Sequence, residues 1–163
     1  MFHEGEYVVY GSHGVCRIDE VTTLCMPGSD RNRLYYIMQP NNSKNSKIYS
    51  PVDNTKVPLR RIMSEDEAAE MREMLSGIEE ADVPNERFRE ETYKDIMRSC
   101  DFKQIAGLAK LLVHRRYERL KQGRKFTTLD ERYLRASDEF LSMELSQALG
   151  EETDTLIPIW EKK

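Results

Sequence analysis

Residues 7–18 read Tyr7-Val8-Val9-Tyr10-Gly11-Ser12-His13-Gly14-Val15-Cys16-Arg17-Ile18. A β-branched and aromatic run reaches a Gly-Ser-His corner, and a second alternating run leaves Gly14 at once, the pattern of two antiparallel strands joined by a tight loop. A first hairpin is therefore predicted over 6–10 and 14–24. The turn formers Met26-Pro27-Gly28-Ser29-Asp30 come next, and Arg33-Leu34-Tyr35-Tyr36-Ile37-Met38 reads as a third strand before the Pro40-Asn41-Asn42-Ser43 turn. Lys47-Ile48-Tyr49-Ser50 is a fourth strand stopped by Pro51, and Lys56-Val57-Pro58-Leu59-Arg60 is at most a short closing strand, because Pro58 has no N–H to give a ladder. Short strands with close turns predict a small SH3-like or Tudor-like barrel that closes most of its own edges and gains stability by packing on the helical part of the chain.

The composition changes at Ser64. Ser64-Glu65-Asp66-Glu67 is a capping box opening an acidic first turn, with Met71, Met74 and Leu75 on one face and Gly77 at the end. A second helix is predicted from Pro84-Asn85 to about Arg98, with Phe88, Thr92, Ile96 and Met97 inward. Asp101 and Gln104 cap a third, whose apolar residues from Phe102 to Val113 fall at helical spacing, with Tyr117 and Leu120 continuing that side to Gly123. Thr128 with Glu131 repeats the capping box for a fourth helix, lined by Leu129, Tyr133, Leu134, Phe140, Leu141 and Leu145 and stopped by Gly150. Residues 151–163, with Pro158, read as a frayed tail or a short extra turn. The fold class expected is α+β, with a barrel over residues 1–62 and an all-α domain over 63–163, divided between Arg61 and Ser64.

No apolar run approaches the roughly 20 residues that cross a bilayer, and no basic-then-apolar leader precedes the first strand, so a cytoplasmic protein without a membrane partner is expected. Cys16, Cys25 and Cys100 form no close-spaced pair, and His3, His13 and His114 lack metal-helix spacing. The expectation is reduced thiols, no metal and no cofactor. A Gly-rich phosphate loop, a G-x-S-x-G elbow and paired carboxylates in a pKa-shifting setting are all missing from the sequence, so neither catalysis nor a small-molecule substrate is expected.

The net charge of −4 hides a strong asymmetry. Residues 64–82 hold eight carboxylates against Arg72, whereas residues 85–125 hold twelve Lys or Arg against six Asp or Glu, a local excess of six positive charges. A polyanion meets that local field more than the sum. Basic residues near helix C-termini also stabilise the helix, and surface charges solubilise, so a structural reading of the same residues stands beside a phosphate-gripping one.

The pattern Val8-Val9-Tyr10, His13-Gly14 and Ile18, with Pro51, Asp53-Asn54 and Leu59-Arg60 downstream, resembles the bacterial CarD family of RNA-polymerase-binding transcription regulators, whose barrel module also occurs in the transcription-repair coupling factor. The resemblance covers about residues 1–62 by motif, and more loosely extends to about 150 by the order of helices. It implies that the barrel pairs strand to strand with the RNA polymerase β subunit, along an edge that motif position places at Leu24, Lys47 and Tyr49. Family members often carry Arg at the first and last of these. The helical domain of the family touches promoter DNA at the upstream edge of the melted region, where a Trp near the second helix start wedges into the minor groove. Here that place holds Asn85-Glu86-Arg87-Phe88, and the single Trp is Trp160 in the tail. Phe88 suits either an apolar wedge or the core.

The DNA-contacting residues expected on this basis are Asn85, Arg87, Phe88, Arg89, Lys94, Arg124, Lys125 and Arg132. The implied function is a transcription regulator that grips polymerase through the barrel, leans on promoter DNA without reading sequence and alters open-complex stability. Two weak contacts would act together through effective concentration. A protein-interaction adaptor that docks on polymerase or a repair factor without DNA, and a barrel that binds RNA, are the competing readings. An aromatic cage for methylated lysine, formed from the barrel's tyrosines, is a further use of such a barrel.

Overall fold

The computed structural model describes residues 1–25, 27–28 and 31–161. Of the turn expected at 26–30, Met26, Ser29 and Asp30 lie outside the described residues. Five strands come first, β1 Tyr7–Tyr10, β2 Gly14–Thr23, β3 Leu34–Pro40, β4 Ile48–Pro51 and β5 Leu59–Arg61, succeeded by four helices, α1 Glu65–Met74, α2 Arg89–Arg98, α3 Phe102–Lys121 and α4 Thr128–Leu149. The fold is α+β, and no helix is long and apolar enough to cross a membrane among the described residues.

The strands form one antiparallel sheet in the order β4-β3-β2-β1-β5. The corner between β1 and β2 is a single 3-10 turn, Gly11–His13, opened by Gly11 at φ +49° and followed by Gly14 at φ +75°. A Cβ on Gly11 would stand 2.8 Å from Val57 Cγ1, so a side chain is excluded there by space as well as by backbone conformation. The expected barrel closure does not occur: β4 and β5 are separate edges among the described residues. Each is short and bounded by proline. Pro58 accepts from Gly11 N at 2.8 Å but offers no N–H, and β4 ends on Pro51. Curvature comes instead from β2, whose register slips between Ile18 and Glu20, the bulge that bends a long strand around its neighbours.

Val8, Tyr10, Cys16, Ile18, Tyr36 and Met38 form the sheet's own core. Val9, between two of them, faces the other way and joins the helical core, so β1 is buried on both faces. The carbonyl of Val9 also accepts from Cys100 Sγ at 3.6 Å, and Phe140 of α4 lies against Gly14, where a Cβ would touch its ring at 3.4 Å.

The sheet is tied to the helices by a buried ion pair. Glu144 of α4 is fully buried, and its two oxygens accept from Arg60 Nη2 at 2.6 Å and Nη1 at 2.7 Å, with Met63 N donating a third bond at 3.1 Å. Arg60 Nε donates to the Cys100 carbonyl at 2.8 Å. Burial disfavours the Arg60 charge, and the bonds to Glu144 outweigh it, holding the guanidinium pKa above its usual value. Cys100, with a positive φ (62°) that no other non-glycine residue adopts among the described residues, turns the chain between α2 and α3 at this point.

The helices obey their caps with local corrections. The Ser64–Glu67 capping box is formed in full, and Asp101 caps α3 by accepting from Gln104 N. The cap of α4 is Thr127, one residue before the expected Thr128, since Thr127 Oγ1 accepts from Asp130 N at 3.2 Å. Helix α2 begins later than expected, after a 3-10 turn at Glu86–Phe88, and buries Tyr93 and Met97 while Phe88 is exposed. Met74, Tyr117 and Leu120 are likewise exposed, where the spacing predicts core. Of the two readings of the tail, the short extra turn is the one formed, a 3-10 turn at Ile157–Ile159 with Leu156 and Trp160 buried beside it and Trp160 Nε1 donating to the Leu75 carbonyl at 2.8 Å; Lys162 and Lys163 lie outside the described residues.

Two measurements test these contacts. Arg60→Ala leaves Glu144 buried without its cation and should cost about 3–5 kcal/mol in urea unfolding monitored by Trp160 fluorescence, whereas Arg72→Ala, which removes an exposed pair with Glu151, should cost under about 1 kcal/mol. Burial pushes the Cys16 thiol up to about 12 and raises Cys100 as well, while Cys25 is exposed. A neutral thiol is a poor nucleophile, so a thiol reagent at mildly alkaline pH should modify Cys25 quickly and the other two after denaturation.

Candidate functional site

Two regions carry the expected contacts, the β4 edge and the start of α2. Strand β4 pairs with β3 on one side, leaving backbone N–H and C=O groups along its other side for an added strand. Its side chains alternate: Ser50 is buried and Tyr49 is 45 % exposed. Lys47, just before it, is exposed. Leu24 does not join them. It lies beyond the end of β2 where Thr23 pairs with Leu34, two strands from β4 and at the opposite end from Lys47, and it is 8 % exposed. The edge thus rests on Lys47 and Tyr49, and Leu24 packs inward. Of the sheet's other tyrosines, Tyr36 and Tyr10 are buried, the first accepting from Phe2 N through its hydroxyl and the second stacked on His13.

The helical site is organised by a carboxylate that periodicity gives no reason to single out. Asp130 sits in the first turn of α4, where the helix dipole favours negative charge, and it is 1 % exposed. Its Oδ1 accepts from Arg89 Nε at 3.1 Å and Tyr93 Oη at 3.0 Å, while Arg115 Nη1 stands 3.7 Å from Oδ2. Burial, then the Asp130 charge, raises the Tyr93 hydroxyl pKa, keeping it a neutral donor. Arg89 is therefore a clamp joining α2 to α4, and its guanidinium is committed inside the protein.

Other expected contacts are partly neutralised. Arg132 donates to Glu90 at 3.0 Å and lies over the Tyr133 ring, and Lys94 is 3.7 Å from the same Glu90; Arg115, outside the expected set, pairs with Glu86. Asn85 caps the 3-10 turn by accepting from Arg87 N at 3.0 Å, so its side-chain oxygen serves the backbone.

The remaining available set is narrower. Arg87 has no carboxylate partner among the described residues, and its guanidinium stands over the Phe88 ring, 5.7 Å from the centroid; Phe88 itself is 52 % exposed. Arg124 and Lys125 are exposed in the α3–α4 loop, which is folded back by Arg119 Nε donating to the Lys125 carbonyl at 2.7 Å. Arg98, not singled out by the sequence, is exposed and lines a cleft of about 390 Å³ with Lys94, Arg132 and Ser12 of the β1–β2 corner. Its position one turn after Lys94 on α2 is the signal that could have found it. No group of three or more His, Cys, Asp or Glu side chains able to hold a metal occurs among the described residues.

No curated protein matches the chain as a relative. Residues 2–63 match the family model described as the CarD-like/TRCF RID domain, a span that covers all five strands and ends just before the Ser64 cap of α1. The N-terminal sheet of this chain is thus a CarD-like RNA polymerase interaction domain.

Proposed function

We propose that the chain is a non-enzymatic transcription regulator of the cytoplasm, in which residues 1–62 dock on the RNA polymerase β subunit as a curled Tudor-like module and residues 63–163 rest on promoter DNA. The open β4 edge, with Lys47 and Tyr49 outward, supports strand addition by the β subunit. The observation that carries the DNA contact is the exposed Arg87–Phe88 corner: a cation held over an apolar ring suits a phosphate and an adjacent distorted base step at once. Arg98, Arg124 and Lys125 supply further backbone contacts. Engaging both partners at once would change the lifetime of the open complex without sequence reading.

Glu86, Glu90 and Asp130 consume several of the cations and favour a second reading, an adaptor whose helices meet protein and no DNA.

The two separate on one set of variants. Combining Arg87→Glu, Arg124→Glu and Lys125→Glu should leave stability within about 0.5 kcal/mol, as exposed unpaired positions do, and keep capture by the isolated β fragment. It should weaken duplex binding about tenfold or more at low salt, reduce the salt slope by about three and abolish the effect on open-complex lifetime. Unchanged lifetime in that variant means the adaptor reading is correct. Arg89→Ala should instead cost about 1–3 kcal/mol of stability, since it strips a partner from a buried carboxylate. Lys47→Glu with Tyr49→Ala should lose the β fragment and keep the duplex.

A further inference from the structure

A cleft of about 620 Å³ opens between α2, α3 and the segment just after α1. Its apolar lining includes Met74, Ile78 and Ile96, with Gly107 of α3 beside them. Two bonds within the chain hold the wall in place. Ala81 N donates to the Gly107 carbonyl at 3.1 Å, and Lys110 Nζ donates to the Ile78 carbonyl at 2.7 Å. A Cβ on residue 107 would fall 2.6 Å from the Glu79 carbonyl oxygen, so glycine is what lets the segment lie this close to α3.

The rim has one dominant sign. Glu79, Asp82 and Asp95 line the cleft with no cation partner among the described residues, Glu80 is engaged by His114 Nδ1, and Lys103 is the basic side chain in the lining. Helix periodicity explains how this coexists with the cationic face. On α2, Thr92, Asp95 and Ile96 turn to this cleft, the buried Tyr93 and Met97 anchor the helix, and Lys94 and Arg98 turn to the other cleft with Arg132. Helix α2 therefore divides two fields of opposite sign, and a polyanion approaching the second is repelled from the first.

We propose that the acidic cleft docks a cationic amphipathic segment of a protein partner, its apolar side chains against Met74, Ile78 and Ile96 and its Lys or Arg against Glu79, Asp82 and Asp95. The wall is preorganised, so little ordering cost falls on this chain. The docking is independent of the DNA contact, and the two can be occupied together.

The test uses the full chain and a short labelled helical peptide of leucine and lysine at amphipathic spacing, with a leucine–glutamate counterpart. The lysine peptide should bind, weaken as salt rises and shift the backbone amide resonances of Ile78, Thr92, Ile96 and Gly107. Glu79→Lys with Asp82→Lys should weaken it about tenfold or more. Thr92→Trp, which fills the cleft and leaves its charge alone, should do the same, and a saturating DNA duplex should not compete. The proposal is overturned by equal binding of the glutamate peptide, by full affinity in Thr92→Trp, by competition from the duplex, by self-association of the chain through these residues, or by no binding of the lysine peptide at all.

Discussion

The structure depends on a carboxylate placed where no water reaches it. Glu144 has its charge met by the Arg60 fork and the Met63 amide, all from the end of the sheet and the residues just after it. Such a pair adds little net stability over a hydrophobic substitute, yet either half alone is severely costly, so it enforces an arrangement more than it strengthens one. Because the same guanidinium also binds the Cys100 carbonyl, the last strand, the α2–α3 corner and α4 are fastened at one place. The last strand and the helical layer are thereby held in a defined relation, as the proposed engagement of two partners together would require.

A second buried carboxylate repeats the device at the other end of α4. Asp130 gathers Arg89 from α2, Arg115 from α3 and the Tyr93 hydroxyl. Helix α4 thus contributes an internal anion near its start and another near its end, and β5, α2 and α3 are fastened to them. The consequence for charge is direct. Arg89 and Arg115 are drawn inward, so the basic face keeps Arg87 beside Phe88, Arg98 on α2 and Arg124 and Lys125 in the α3–α4 loop as exposed cations without a carboxylate partner among the described residues.

This inward draw also marks where sequence reading succeeds and where it stops. Strand alternation, Pro51, the Ser64 capping box and the Asp101 cap are local signals, and local bonds realise them. Glu144 and Asp130 stand in charge-rich helices where a solvated position is the ordinary reading, and their partners lie 84 and 41 residues away, beyond any periodicity. The same distance hides the bond that Arg89 makes to Asp130. Trp160 misleads for a related reason: a short stretch with a proline resembles a loose end until its indole finds the Leu75 carbonyl across the fold. Phe88 misleads in the opposite sense, since an aromatic at a helix start suits packing by composition, whereas the 3-10 turn swings it outward. The barrel stays open because two prolines limit strands that composition alone would let run longer.

Strand β1 has a consequence for how this module can be inherited. With Val8 and Tyr10 facing inward and Val9 outward into the α-helical layer, the sheet has a greasy back that some neighbouring element must roof. Any chain that acquires the module by recombination inherits that exposed back, and must supply from its own sequence an apolar lid shaped like Phe140 over Gly14.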